Sequence, residues 1–173
     1  MELLYSLIDD QYPDNGYTHT RPIVRAIIYN SQREIALIHI LCDDIFEHRD
    51  YLETPGGGVE NNEDLITALK RELREEVGAE ITDIEEIGEV IDFYNLLNRK
   101  NDQFYFLCKL EKLHERHITN YEKKLLFEVK WIPIDTAIKM VEETKRTKIA
   151  TLVINRELPI LKIAKEMLDL KEL

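Results

Sequence analysis

Cysteine is nearly absent from this sequence. Cys42 and Cys108 stand far apart with no Cys-x-x-Cys spacing, which excludes a zinc ribbon, a redox dithiol motif and a disulfide-built fold. Both read as buried or incidental thiols. Positive charge is also in deficit: 23 Lys and Arg against 34 Asp and Glu leave a net charge of −11. That balance excludes nonspecific binding to a nucleic-acid duplex, which depends on neutralising phosphates with Lys and Arg. A phosphate-bearing small molecule stays compatible, because bound cations invert the local field. No apolar run approaches the ~20 residues of a membrane-spanning helix. The first ten residues carry neither the basic region nor the long apolar run of a secretion signal. The expectation is therefore a cytoplasmic protein with no membrane partner. Glycine and proline are scarce, at six and five, and no low-complexity segment or internal repeat is visible. A hydrophobic fraction of 44% excludes disorder of the whole chain, and 173 residues suffice for one core.

What the sequence does hold is concentrated in one stretch. Three of the six glycines are consecutive, at Gly56, Gly57 and Gly58, and an amphipathic run rich in carboxylates follows. On a helix Glu72, Glu75 and Glu76 stand at i, i+3 and i+4, within an arc of about 100°. Ile66, Leu69, Leu73 and Val77 form the neighbouring apolar stripe, which predicts a separate core-facing side. Like charges so placed repel one another, and a cation between them would relieve the repulsion. Clustered oxygen ligands suit Mg²⁺ or Mn²⁺, which share their coordination with substrate phosphates. The glycine run serves either as a close-approach loop for phosphate, through Gly57 and Gly58, or as a plain strand-to-helix turn. No Gly-Lys-Ser/Thr follows, so it is not a P-loop. Asn61 or Asn62 is expected to cap the helix, with Glu63 and Asp64 at its positive end and Gly78 as the left-handed terminator.

Gly57, Glu63, Arg71, Glu72, Glu75, Glu76 and Gly78 together match Gly, five residues, Glu, seven residues, Arg-Glu-Leu-x-Glu-Glu-x-Gly. This resembles the Nudix box of the Nudix hydrolases, and Pro55-Gly56-Gly57 resembles the approach to that box. One position departs: Ala79 stands where a larger aliphatic residue is usual. The resemblance implies metal-dependent hydrolysis of a phosphoanhydride in a nucleoside diphosphate linked to another group. It implies Glu75 and Glu76 as metal ligands, Glu72 as ligand or base, the Gly56 carbonyl in the same sphere, Arg71 as an orienting group and Glu63 as support. The alternative is a non-catalytic nucleotide-sensing or scaffold module on the same fold. Such modules commonly lose box carboxylates, and this chain keeps all of them. Family members acting on ADP-ribose often carry a proline beyond the box; here none occurs between Pro55 and Pro133. Diadenosine polyphosphate hydrolases carry a tyrosine there, and Tyr94 lies 15 residues past Ala79.

The remaining chain predicts a mixed sheet between helices, an α/β architecture that the resemblance sharpens to a Nudix-type α/β/α sandwich. Residues 1–20 are expected as an N-terminal appendage, either an extra strand or a dimer contact, ahead of a single domain over residues 21–173. Residues 22–29 and 34–41 read as a hairpin, 42–50 as a polar loop and 51–54 as a short strand. Residues 81–93 read as a strand bent near Gly88, 103–110 as a strong strand, and 111–124 as a charged surface loop. Residues 125–132 read as a strand with Phe127, Val129 and Trp131 on one face and Glu128 and Lys130 on the other. A helix capped by Asp135 runs to about Thr144. A last helix reaches Leu173, with Pro159 interrupting it or opening its first turn.

Family members often recruit one more carboxylate outside the box, and Glu122 in the charged loop and Glu128 on the strand are the two candidates for a general base. His114 and His117 are three apart and lack the His-Glu-x-x-His spacing of zinc proteases, so they read as loop residues.

Overall fold

The computed structural model describes residues 1–124 and 128–171. In chain order the elements are β1 (Leu3–Ser6), β2 (His19–Tyr29), β3 (Glu34–Asp44), β4 (Glu47–Glu53), β5 (Gly56–Gly58), α1 (Leu65–Glu76), β6 (Ala79–Tyr94), β7 (Arg99–Leu113), α2 (Asn120–Lys124), β8 (Glu128–Pro133), α3 (Ile134–Glu143) and α4 (Lys148–Leu170). The strands form one mixed sheet in the order β1-β6-β7-β2-β3-β4, with β5 added to β2 and β8 to β3. β2 runs parallel to β7 from His19↔Arg99 to Tyr29↔Lys109, and β1 runs parallel to β6. α1 packs against β2, β5 and β6, while α4 packs on β4, β6 and α3, so the sheet lies between helical layers. The expected α/β/α sandwich is the observed fold. Among the described residues, no helix is long and apolar enough to cross a membrane.

Strand β2 places Val24, Ala26 and Ile28 on one face and Ile23, Arg25 and Ile27 on the other, and all six are buried. Helix α1 buries Ala68, Leu69 and Leu73 against the sheet. Burying each leucine is worth about 1.5–3 kcal/mol. Ile66, expected in that stripe, is 36% exposed, and Ala68 takes its place nearer the sheet.

Several local expectations need correction. The N-cap of α1 is Asp64, whose carboxylate accepts from the amides of Ile66 and Thr67, rather than Asn61 or Asn62. Gly78 does end the helix in the left-handed region, at φ +75°, with the His114 carbonyl packed where a side chain would stand. The supposed loop at 42–50 is the tip of the β3–β4 hairpin, tightened by Asp44 accepting from the Phe46 amide. Strand β7 runs to Leu113, and α2 follows a stretch without regular structure, so 111–124 is a loop only in its middle. Asp135 sits in the first turn of α3, not at its cap. Pro159 lies inside α4, which begins eleven residues earlier at Lys148. A proline in a helix interior costs about 3 kcal/mol, and α4 offsets it by burying Ile149, Val153, Ile154, Ile160, Leu161 and Ala164. Residues 1–20 contribute β1, and Phe127 lies outside the described residues.

Candidate active site

The geometry of β5 organises the site. The Pro55 carbonyl accepts from the Ala26 amide, and the Pro22 carbonyl accepts from the Val59 amide. By strand alternation Gly57 also faces β2, and the polar groups of Gly56 and Gly58 face the outer edge. The box helix fills that edge. The Gly56 amide donates to Glu76 Oε2 at 2.8 Å, and Arg71 Nη2 donates to the Gly58 carbonyl at 3.0 Å. A methyl at Gly57 would stand 2.3 Å from a Glu72 carboxylate oxygen, so a side chain there would displace that carboxylate. The Gly56 carbonyl faces the same edge by the same alternation.

Arg71 ties the stripe together. Its Nε and Nη2 donate to the two Glu63 oxygens at 2.8 Å each, a fork-to-fork pair, and its Nη1 donates to Glu72 at 2.6 Å. Glu75 lies 3.7 Å from the same nitrogen, with its side chain 41% exposed. The Arg71 hydrogen bonds hold the Glu63 carboxyl down at about 2, helped by the Glu60 amide. Glu63 therefore supports the loop in its ionised form. That support is complete above the ordinary value of 4.5 and is lost as pH falls toward 2. Arg71→Lys is expected to lower kcat about tenfold or more, since an ammonium cannot bridge Glu63, Glu72 and the Gly58 carbonyl together. Steady-state kinetics at fixed metal would check it, and an unchanged kcat would contradict the role.

Glu76 is the buried member of the stripe. Burial pushes its carboxyl well above the ordinary range; the Gly56 amide pulls it back in part, and Glu72 pushes it up further. Among the described residues Glu76 forms no ion pair, and no three His, Cys, Asp or Glu side chains converge on one point. Arg71 draws Glu72 and Glu75 to itself while Glu76 turns to Gly56. The donor set still fits a hard divalent cation: three carboxylates on one stripe and an outward carbonyl, all oxygen, with one carboxylate buried against like charge.

Beneath β5 lies a buried polar network that sequence reasoning missed. Arg156 of α4 is fully buried and donates to Glu157 at 2.9 Å, Glu53 at 3.0 Å, Asp92 at 3.3 Å and the Tyr94 hydroxyl at 2.7 Å. Burial alone would raise the Glu157 carboxyl, but Arg156 and Arg25 outweigh it and hold it below the ordinary range. The network grips the residue two before Gly56 from both sides. The Thr54 amide donates to Glu157 at 3.1 Å, and Arg25 donates to the Thr54 carbonyl at 2.7 Å. The available signals were charges inside apolar runs: Arg25 within Ile-Val-Arg-Ala-Ile, and Arg156-Glu157 inside the last helix.

The other expected site residues fall in different places. Tyr94 has its hydroxyl engaged by Arg156 and its ring beneath the Arg99 guanidinium, at 5.5 Å. Glu128 is exposed and meets His39 at 3.6 Å and Lys130 at 3.7 Å; no box residue is among these partners. A cleft of about 600 Å³ opens beside it, lined by His39, Asp50, Lys130 and Thr144 and by no residue of the box. Glu122 belongs to α2, but its side chain lies outside the described residues. His114 pairs with Glu80 at 2.8 Å, as a surface loop residue would. Both cysteines are free thiols; burial pushes Cys108 up to about 12 and raises Cys42 as well. Replacing both by Ser is expected to leave turnover unchanged, with some stability lost at Cys108. A reductant-sensitive melting temperature would contradict this.

The fold and box together define the class. The NUDIX domain family matches residues 19–152, and the chain belongs to that family. It is 27% identical over 109 residues to Nudix hydrolase 7 of Arabidopsis thaliana, a match spanning 63% of this chain and 38% of that relative's length. Among solved structures, a NUDIX hydrolase from Nitrosomonas europaea superposes with a TM-score of 0.59 at 19% identity, covering 78% of this chain and 86% of that one. A structure from work on MutT of Aliivibrio salmonicida and Vibrio cholerae gives 0.53 at 20% identity, covering 81% and 98%. At such identities these structures establish the fold alone.

Proposed function

We propose that this chain hydrolyses a phosphoanhydride bond in a nucleoside diphosphate linked to a further group. Mg²⁺ or Mn²⁺ would be held by Glu72, Glu75, Glu76 and the Gly56 carbonyl, and would supply Lewis-acid charge against the phosphoryl oxygens. The observation that carries this reading is the buried Glu76 carboxylate set against the Gly56 amide, with Glu72 pressed onto Gly57. A carboxylate takes the proton of the attacking water, whose oxygen forms the new bond to phosphorus. The bridging phosphorus–oxygen bond breaks, and the departing phosphate keeps the bridging oxygen. Arg71 keeps Glu72 oriented, Glu63 fixes Arg71, and the backbone at Gly57 and Gly58 leaves room for the phosphates. Retention of every box carboxylate favours this over a non-catalytic sensing or scaffold module.

A screen of nucleoside diphosphate derivatives with Mg²⁺, reading release of phosphate or phosphomonoester, tests the reading. Turnover that chelation abolishes supports it, and binding without turnover across the panel supports the sensing module. The candidate proton acceptors are Glu72, Glu122 and Glu128. Glu→Gln variants at Glu122 and Glu128 separate these, because loss of a general base costs about a hundredfold or more in kcat. Wild-type turnover in both leaves the role to Glu72 or to a group elsewhere.

A further inference from the structure

On the face of β5 turned away from Glu72 stand two guanidiniums that pair with no carboxylate among the described residues. A methyl at Gly58 would lie 2.7 Å from Arg21 Nη2 and 2.9 Å from its Nε, so the Arg21 head group rests directly on that glycine. Arg99, on the neighbouring parallel strand, pairs in register with His19, which places Arg21 and Arg99 one pleat apart on the same face. Arg99 covers the Tyr94 ring, and its Nε is buried with no hydrogen-bond partner. Among the described residues, no hydrogen bond or ion pair joins either guanidinium to a carboxylate. The carboxylate acting on Arg99, Asp92, is already engaged by Asn101, Gln103 and Arg156. In a chain of net charge −11, two arginines left side by side need an explanation. Burial lowers the Arg99 pKa and Arg21 lowers it further, so both geometry and charge favour an anion there.

We infer that Arg21 and Arg99 form an anion subsite that takes a further phosphate of the substrate, beyond the diphosphate held at the box. The inference rests on the proposed function above. β5 is three residues wide, pairs only with β2 among the described strands, and separates Glu72 on one face from Arg21 on the other. With α1 on the outer edge of β5, a polyphosphate held at the carboxylate stripe would reach the guanidiniums past the Gly58 end of the strand, where Arg21 rests. Planar forks suit phosphate oxygens, and glycine at position 58 lets a ligand approach the strand closely. The substrate class so selected is a nucleoside diphosphate whose attached group carries phosphate, such as a nucleoside triphosphate, rather than a neutral sugar.

The test compares a nucleoside triphosphate with a nucleoside diphosphate linked to a neutral sugar, for wild type, Arg21→Gln, Arg99→Gln and the double variant. On the triphosphate, KM is expected to rise about tenfold or more for each guanidinium removed, while kcat/KM for the neutral sugar substrate stays within about threefold. Arg99→Lys is expected to recover part of the loss. Calorimetry with inorganic tripolyphosphate in the absence of metal should show binding that the double variant loses. Arg21 is exposed, so its variant keeps the test alive should Arg99→Gln fail to fold. Equal losses on both substrates, or an unchanged KM in the double variant, overturn the subsite while leaving the hydrolase reading intact. Tripolyphosphate binding that needs both arginines, in a chain that turns over no member of the nucleoside diphosphate panel, keeps the subsite and overturns the hydrolase reading.

Discussion

Glu76→Gln is expected to abolish nearly all hydrolysis, by about a hundredfold or more, while the metal-free protein becomes no less stable than wild type. The first half follows from the role proposed for Glu76, a charged oxygen ligand at the buried end of the carboxylate stripe. The second half follows from where Glu76 sits. It is 8% exposed, and burial, then the charge of Glu72, raises its carboxyl above the ordinary range despite the Gly56 amide. A group whose folded pKa is raised contributes stability that is complete below its unfolded value and is lost as pH rises through the folded one. In chelated wild type, ionising Glu76 above pH 4.5 therefore works against folding. Glutamine keeps an acceptor for the Gly56 amide and removes that loss. Melting temperatures of both proteins in chelator across the acidic to neutral range should show a fall with pH in wild type that the variant lacks. A variant that melts well below wild type at neutral pH would contradict this.

Arg156→Met is expected to produce the largest loss of stability of any single change considered. Arg156 is fully buried and satisfies Glu53, Asp92 and Glu157 at once. Removing it leaves the buried Asp92 and Glu157 and the half-buried Glu53 short of a cation, an effect of about 3–5 kcal/mol. In a chain of this size that lowers the melting temperature by about 10 °C. Replacing the anions as well, in Arg156→Met with Glu53→Gln and Glu157→Gln, should recover much of the loss, because the penalty lies in uncompensated charge. Thermal or denaturant unfolding of the two variants checks both parts. A melting temperature within about 2 °C of wild type for Arg156→Met would refute the account of the network. Activity should fall with Arg156→Met too, since Glu157 and Arg25 hold Thr54, and Thr54 leads into the glycine strand.

These two residues show what the sequence could and could not reveal. Glu76, with Glu72, Arg71 and Gly57, sits in a short stretch where helical spacing alone sets which side chains share a stripe. The fold class was equally readable, because strand-like runs flank an amphipathic helix. Arg156 lies 64 residues from Asp92 and 103 from Glu53, so nothing local to it signals those partners. Arg25 likewise breaks an apolar strand for a reason visible only once Gln103 and Thr54 lie beside it. Errors at element ends had local causes. Asp64 won the helix cap over Asn61 and Asn62 because its carboxylate reaches two amides and the Thr67 hydroxyl. Pro159 was expected at a helix break or start, and the apolar packing of α4 overrode it.

The central claim is that water attacks a substrate phosphorus at a metal site built on the box. The most direct measurement is turnover of a nucleoside diphosphate derivative in oxygen-labelled water, with and without Mg²⁺, for wild type and Glu76→Gln. One labelled oxygen in a single phosphate product, dependent on Mg²⁺ and lost in Glu76→Gln, is the result expected. Label incorporation that persists in chelator, or in Glu76→Gln at the wild-type rate, would contradict the assignment.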